Sequence, residues 1–123
     1  MPNFIFIGAL NLLFAVVLGA FGAHGLKARL SVEQLGWWQT GVQYHSWHAL
    51  GLLAIGLLLL QAPAAAVRPA GWALQIGIVL FSGSLYAMAL GAPRWFGAIT
   101  PLGGLAFIVG WGLLAWAALK LGR

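Results

Sequence analysis

FIFIGALNLLFAVVLGAFGA, residues Phe4–Ala23, is a run of twenty residues without a charge. A helix of that length rises about 30 Å, which matches the hydrocarbon core of a bilayer. Three comparable runs follow: Gly41–Gln61, Gly71–Ala92 and Phe96–Leu119. Hydrocarbon offers the backbone no hydrogen-bond partners, so runs of this kind cross as helices or close into a barrel. They lack the alternation of a barrel strand. The expected fold is all-α, with four antiparallel transmembrane helices in a compact bundle. It forms one domain over residues 1–123, with helices at about 4–24, 41–61, 71–92 and 98–120.

Composition points the same way. The chain is 63 % hydrophobic and 6 % charged, where a soluble domain is about a quarter charged. Its one acidic residue is Glu33. The basic residues are scattered singly at helix ends, as in membrane flanks, so the net charge of +5 does not indicate nucleic acid. The absence of cysteine excludes disulfides, thiolate metal sites and cysteine catalysis. The first run lacks a basic leader and is long for a signal-peptide core, so it is read as a retained span. With four spans, Arg68, Lys120 and Arg123 share the side of the termini, and Lys27, Arg29 and Arg94 lie opposite. That balance gives the positive-inside rule no bias. The termini are read as cytoplasmic, with dual topology as the alternative.

Pro63 and Pro93 stop helices, and Pro69 sits where one can begin. Short connections at Ala62–Ala70 and Pro93–Trp95 make consecutive helices antiparallel neighbours. In the longest connection, Ser31 and Gln34 read as a capping box. A helix from there to Leu60 would span about 45 Å. A break near Gly36 or Gly41 is therefore expected, with residues 31–40 as an interfacial segment and Trp37 and Trp38 at headgroup level.

In lipid, helices associate through small residues and a few polar contacts. Gly8, Asn11, Ala15, Gly19 and Gly22 fall at helical spacing on the first helix and are expected to face the interior. Gly41, Tyr44, His48, Gly51 and Ile55 form the corresponding stripe on the second, Gln75, Val79, Ser82 and Tyr86 on the third. On the fourth the stripe is Thr100, Gly103 or Gly104, Phe107 and Gly110. Asn11 and Gln75 are candidates for a hydrogen bond between helices one and three.

Antiparallel threading gathers a polar layer on the side opposite the termini. His24, Tyr44, His48, Tyr86 and Thr100 are its candidate ligand-binding residues. His45, Ser82, Ser84 and Arg94 form a secondary cluster. Three readings compete. The side chains satisfy helix ends; they bind a lipid headgroup or small solute; or His24, His45 and His48 bind a metal. No carboxylate or thiolate supports the metal reading, and no metal or other cofactor is expected.

No carboxylate lies within a span, which excludes a proton-coupled exporter of organic cations. Zinc-protease, nucleophile-elbow, phosphate-loop and dinucleotide motifs are missing. The chain is expected not to be an enzyme. The leading function is a multi-pass protein of the bacterial inner membrane whose polar layer holds a lipid headgroup or small solute. The alternative is a small ion channel or transporter, active as a dimer. Expected partners are membrane lipids, with a homo-oligomer or a larger membrane complex as further options.

GAFGAHGLK (Gly19–Lys27), TGVQYHSWHAL (Thr40–Leu50), FSGSLYAMAL (Phe81–Leu90) and ITPLGGLAFIVGW (Ile99–Trp111) resemble the motifs of the bacterial membrane family called domain of unknown function 423. Its eukaryotic relative is known as transmembrane protein 256. The resemblance covers nearly the whole chain and implies a four-span inner-membrane protein. It places the family pattern on His24, Tyr44, His48, Ser82, Gly83, Ser84, Tyr86, Thr100, Pro101, Gly103 and Gly104. Position 45 is often Gln in the family, so His45 departs from the pattern, which favours His24 and His48 as the shared pair. No biochemical activity is implied.

Overall fold

The computed structural model describes residues 3–121; Arg123, counted above on the side of the termini, lies outside them. Helix α1 is Phe4–Phe21, prolonged by a wider π turn at Gly22–Leu26. Helix α2 is Val32–Gln61. Helix α3 is Arg68–Ala89, with a π turn at Ile78–Ser82 in its middle. A 3-10 turn, Arg94–Ala98, leads into α4, Thr100–Leu121.

Local chemistry sets the ends. The Asn3 side chain accepts from the Phe6 amide at 3.1 Å and caps α1. The Ser31–Gln34 capping box is complete, with the Gln34 amide donating to Ser31 Oγ at 3.1 Å and the Ser31 amide to Gln34 Oε1 at 2.9 Å. Pro69 occupies the first turn of α3. Past its end Gly91 has φ +114°, a left-handed conformation that side chains resist.

The four helices form an antiparallel ladder. A Cβ on Gly8 would lie 2.7 Å from the Leu53 amide nitrogen, one on Gly56 2.5 Å from that of Ile5, and one on Gly22 2.4 Å from Trp38 Nε1. Residues 38–56 of α2 therefore cross the same depth as α1, in the opposite direction. On its other side α2 meets α3, with Gly41 against Tyr86 and Gly51 against Leu74. Gly103 and Gly110 of α4 then rest on Phe81 and Leu74 of α3. The small residues read from the sequence thus line the helix contacts, since only glycine lets backbones approach so closely in lipid. Gly104 differs: its nearest neighbour would be Phe81 Cδ2 at 3.9 Å, so it borders a groove and leaves the packing to Gly103.

Three helical segments are long and apolar enough to cross a membrane: Phe4–Leu26, Arg68–Ala89 and Arg94–Leu121. Helix α2 is the more polar one and lies between α1 and α3. Phe4, Leu52, Ile55, Val67 and Leu74 make up the fully buried apolar centre.

Three expectations need correction. Val79, expected on the inward stripe of the third helix, is 61 % exposed, and the inward row there is Leu74, Ile78, Ser82 and Leu85. Helix α2 does not break at Gly36 or Gly41; its 30 residues run continuously from the capping box. Gly41 serves contact with Tyr86, and Gly36 meets nothing, so neither glycine is used to bend the chain. Trp38 is also not on the surface of the bundle. It is 3 % exposed, its Nε1 donates to the Leu18 carbonyl at 2.9 Å, and its ring lies 4.8 Å from that of Tyr86. Trp37 does stay outward, under the Arg94 guanidinium at 5.4 Å.

Candidate functional site

The side chains expected in one polar layer are distributed over several places. His24 is exposed and makes no side-chain hydrogen bond among the described residues. It lies two positions beyond the buried Gly22, and residues two apart in a helix do not share a face. Arg94 is likewise at the surface, paired with Glu33 at 2.6 Å. Thr100 joins Ser84 at 2.6 Å and ties α4 to α3. Ser82, turned inward in the π turn, donates to the Gly41 carbonyl at 2.7 Å. Tyr44 and His45 are adjacent in sequence, hence about 100° apart around α2. They belong to different sites.

His45 is the centre of the first. Its Nε2 lies 3.0 Å from Asn11 Oδ1, and its Nδ1 lies 3.0 Å from the Tyr86 hydroxyl. Asn11 Nδ2 donates to the Ile7 carbonyl at 2.9 Å and to Gln75 Oε1 at 2.7 Å. The Asn11–Gln75 bond joins α1 to α3 as the sequence suggested. These contacts fix every polarity. A backbone carbonyl only accepts, so the nitrogen of Asn11 faces Ile7, and Oδ1 is left to accept from His45. His45 must then carry its proton on Nε2, and in the neutral ring Nδ1 accepts from Tyr86. One chain of hydrogen bonds, Tyr86 to His45 to Asn11 to Gln75, links α3, α2 and α1. The sequence placed His45 only in a secondary cluster on the side opposite the termini and paired Asn11 with Gln75 alone. The uninterrupted α2 explains this, because it carries His45 deeper into the bundle than a broken helix would.

His48 forms the second site, one helical turn beyond Tyr44. Its Nδ1 donates to the Tyr44 carbonyl at 2.6 Å. Its ring stacks on Phe107 with centroids 3.5 Å apart and planes 10° from parallel. Trp111 and Tyr44 lie 5.9 and 5.8 Å away. These rings, with Phe81, Pro101 and Gly104, border a groove of roughly 750 Å³ that opens toward lipid between α2 and α4. Because Nδ1 holds the proton, Nε2 of the neutral ring is an acceptor, and no described residue donates to it. The two buried histidines thus have opposite tautomers. The three imidazoles do not converge, and no group of three metal-binding side chains occurs among the described residues.

The family described as Protein of unknown function (DUF423) matches residues 18–104 of this sequence. The chain belongs to the DUF423 family. That stretch includes His24, both buried histidines and the Ser84–Thr100 pair. The resemblance seen in the motifs therefore holds, and DUF423 is the family of the four-helix membrane fold described above. The chain is 50 % identical over 121 residues to the UPF0382 membrane protein YwdK of Bacillus subtilis (strain 168), covering 98 % of each. It is 51 % identical over 120 residues to the UPF0382 membrane protein SERP0230 of Staphylococcus epidermidis, again over 98 % of each. The UPF0382 membrane protein SSP2132 of Staphylococcus saprophyticus is 50 % identical over 121 residues, which is 98 % of this chain and all of the relative. No solved structure matches this DUF423 chain.

Proposed function

We propose that this multi-pass protein of the bacterial inner membrane binds, without catalysing a reaction, a small amphipathic molecule in the groove between α2 and α4. The observation that carries the reading is His48 Nε2. It is an acceptor with no partner among the described residues, on a residue that borders an aromatic-walled groove. Polar groups at membrane depth are costly to leave unpaired, so a ligand that supplies a donor is favoured there. The fitting chemistry is an apolar body that packs against Trp111 and Tyr44 and carries a hydroxyl or amine. A lipid with a free hydroxyl in its headgroup has that chemistry, and so does a membrane-soluble alcohol or phenol.

The alternative, a conducting pore, needs polar groups free to line a path. Here His45, Asn11, Tyr86, Ser82, Ser84 and Thr100 are closed on one another or on the backbone, which favours binding over conduction. Native mass spectrometry of protein released from mild detergent tests the reading. A stoichiometric added mass is expected on the natural chain, and its loss in His48→Ala while α-helical circular dichroism is kept. A bare natural chain, or a mass that survives His48→Ala, refutes it.

A further inference from the structure

A second groove, between α1 and α3, carries an independent signal. Asn11 and Gln75 are set among Ile7, Leu10, Phe14 and Trp72 around roughly 420 Å³ of open space. Gln75 Oε1 accepts from Asn11, but its Nε2 meets no acceptor among the described residues. Asn11 is the eighth residue of the 18-residue α1, so this amide lies about 10 Å along the helix, near its middle. At that depth neither water nor lipid ester groups are at hand, and acyl chains accept nothing.

We propose that this face is where two copies of the chain meet, with their Gln75 side chains paired across a two-fold axis. A primary amide is complementary to itself. Each Gln75 offers free N–H groups and an Oε1 whose second lone pair is unused, so a two-fold axis closes two reciprocal bonds at once. The surroundings suit a helix contact. Leu10, Phe14 and Val17 on α1 and Trp72, Ile76 and Val79 on α3 are between 39 and 61 % exposed; Trp72 and Val79, three and four positions from Gln75, share its face, and Ile76 lies at its edge. A fully buried aromatic side chain covers about 150–250 Å², and Phe14 and Trp72, each about half-exposed, with four half-exposed aliphatic side chains supply several hundred Å² per chain. That approaches the roughly 800 Å² per partner of a standard interface. Apolar area alone drives nothing in lipid, whereas polar side chains join helices there. The outer face of α4, with Leu102 and Val109 exposed, is as apolar but has no such amide, and nothing on it favours a copy over lipid.

The chain has no cysteine, so single cysteines report proximity directly. Val79→Cys in cell membranes is expected to give a disulfide-linked dimer on oxidation, and Val109→Cys on α4 is not. Adding Gln75→Leu should lower the Val79→Cys dimer at least tenfold. Ile76→Trp, which leaves the Gln75–Asn11 bond in place, should do the same by obstruction. No dimer from Val79→Cys, equal linking from Val109→Cys, or linking unchanged by both second substitutions overturns the proposal. So does a monomer in native mass spectrometry with a small molecule lost on Gln75→Leu.

Discussion

Replacing His45 separates a hydrogen-bonding role from a packing role. His45→Leu keeps an apolar side chain of similar bulk at a position that is 6 % exposed. It removes both ring bonds and leaves Asn11 Oδ1 and the Tyr86 hydroxyl unpaired. Interhelical hydrogen bonds in membranes are worth about 0.6 kcal/mol on average and up to about 1.7. Two of them give an expected loss of about 1–3 kcal/mol. His45→Gln should be nearly harmless, because its amide nitrogen can donate to Asn11 and its oxygen can accept from Tyr86, in the same polarity as the neutral ring. A loss below about 0.6 kcal/mol, one average bond, is expected for it. Unfolding by graded denaturing detergent in mixed micelles measures both, and a double-mutant cycle with Tyr86→Phe isolates the ring–hydroxyl bond. If His45→Gln is as damaging as His45→Leu, or if Tyr86→Phe and His45→Leu are simply additive, the polarity deduced for this chain is wrong.

The two buried histidines should show opposite tautomers by ¹⁵N NMR, with the proton on Nε2 in His45 and on Nδ1 in His48; like tautomers would contradict the contacts to Asn11 and Tyr44. Gly103→Ala should destabilise by about 1–3 kcal/mol through overpacking, since its Cβ would stand 2.3 Å from the Phe81 amide nitrogen. Gly104→Ala, with 3.9 Å of clearance, should stay within about 0.5 kcal/mol of the parent in the same unfolding measurement. Arg94→Ala should cost less than about 1 kcal/mol, because its pair with Glu33 is exposed at 77 and 57 %; a larger loss would show that the contact over Trp37 bears more of the link between α2 and the turn before α4.

Much of the fold was decided by composition. Four apolar runs broken by proline and single charges can satisfy their backbones in lipid only as helices, and short connections oblige neighbours to run antiparallel. Small residues at helical spacing marked which faces meet, and Asn11 and Gln75 could be paired because few polar groups are available to find each other. The sites were harder to read. Sharing a stretch of sequence is not sharing a face, and a rotation of about 100° per residue sends Tyr44 and His45 to different neighbours. His24 looked central because it ends the first run, yet its phase relative to Gly22 turns it outward. The continuity of α2 was hidden for a related reason. Length alone made 45 Å seem too long for a membrane, whereas α1 and α3 packed on both sides keep the helix whole. The sequence by itself determined that this is a membrane bundle and which residues let its helices touch. Only the tertiary structure decided which polar atoms pair and which, His48 Nε2 and Gln75 Nε2, meet no partner among the described residues. That depends on the rotational phase and depth of each helix, which are set by side-chain packing between elements far apart in the chain.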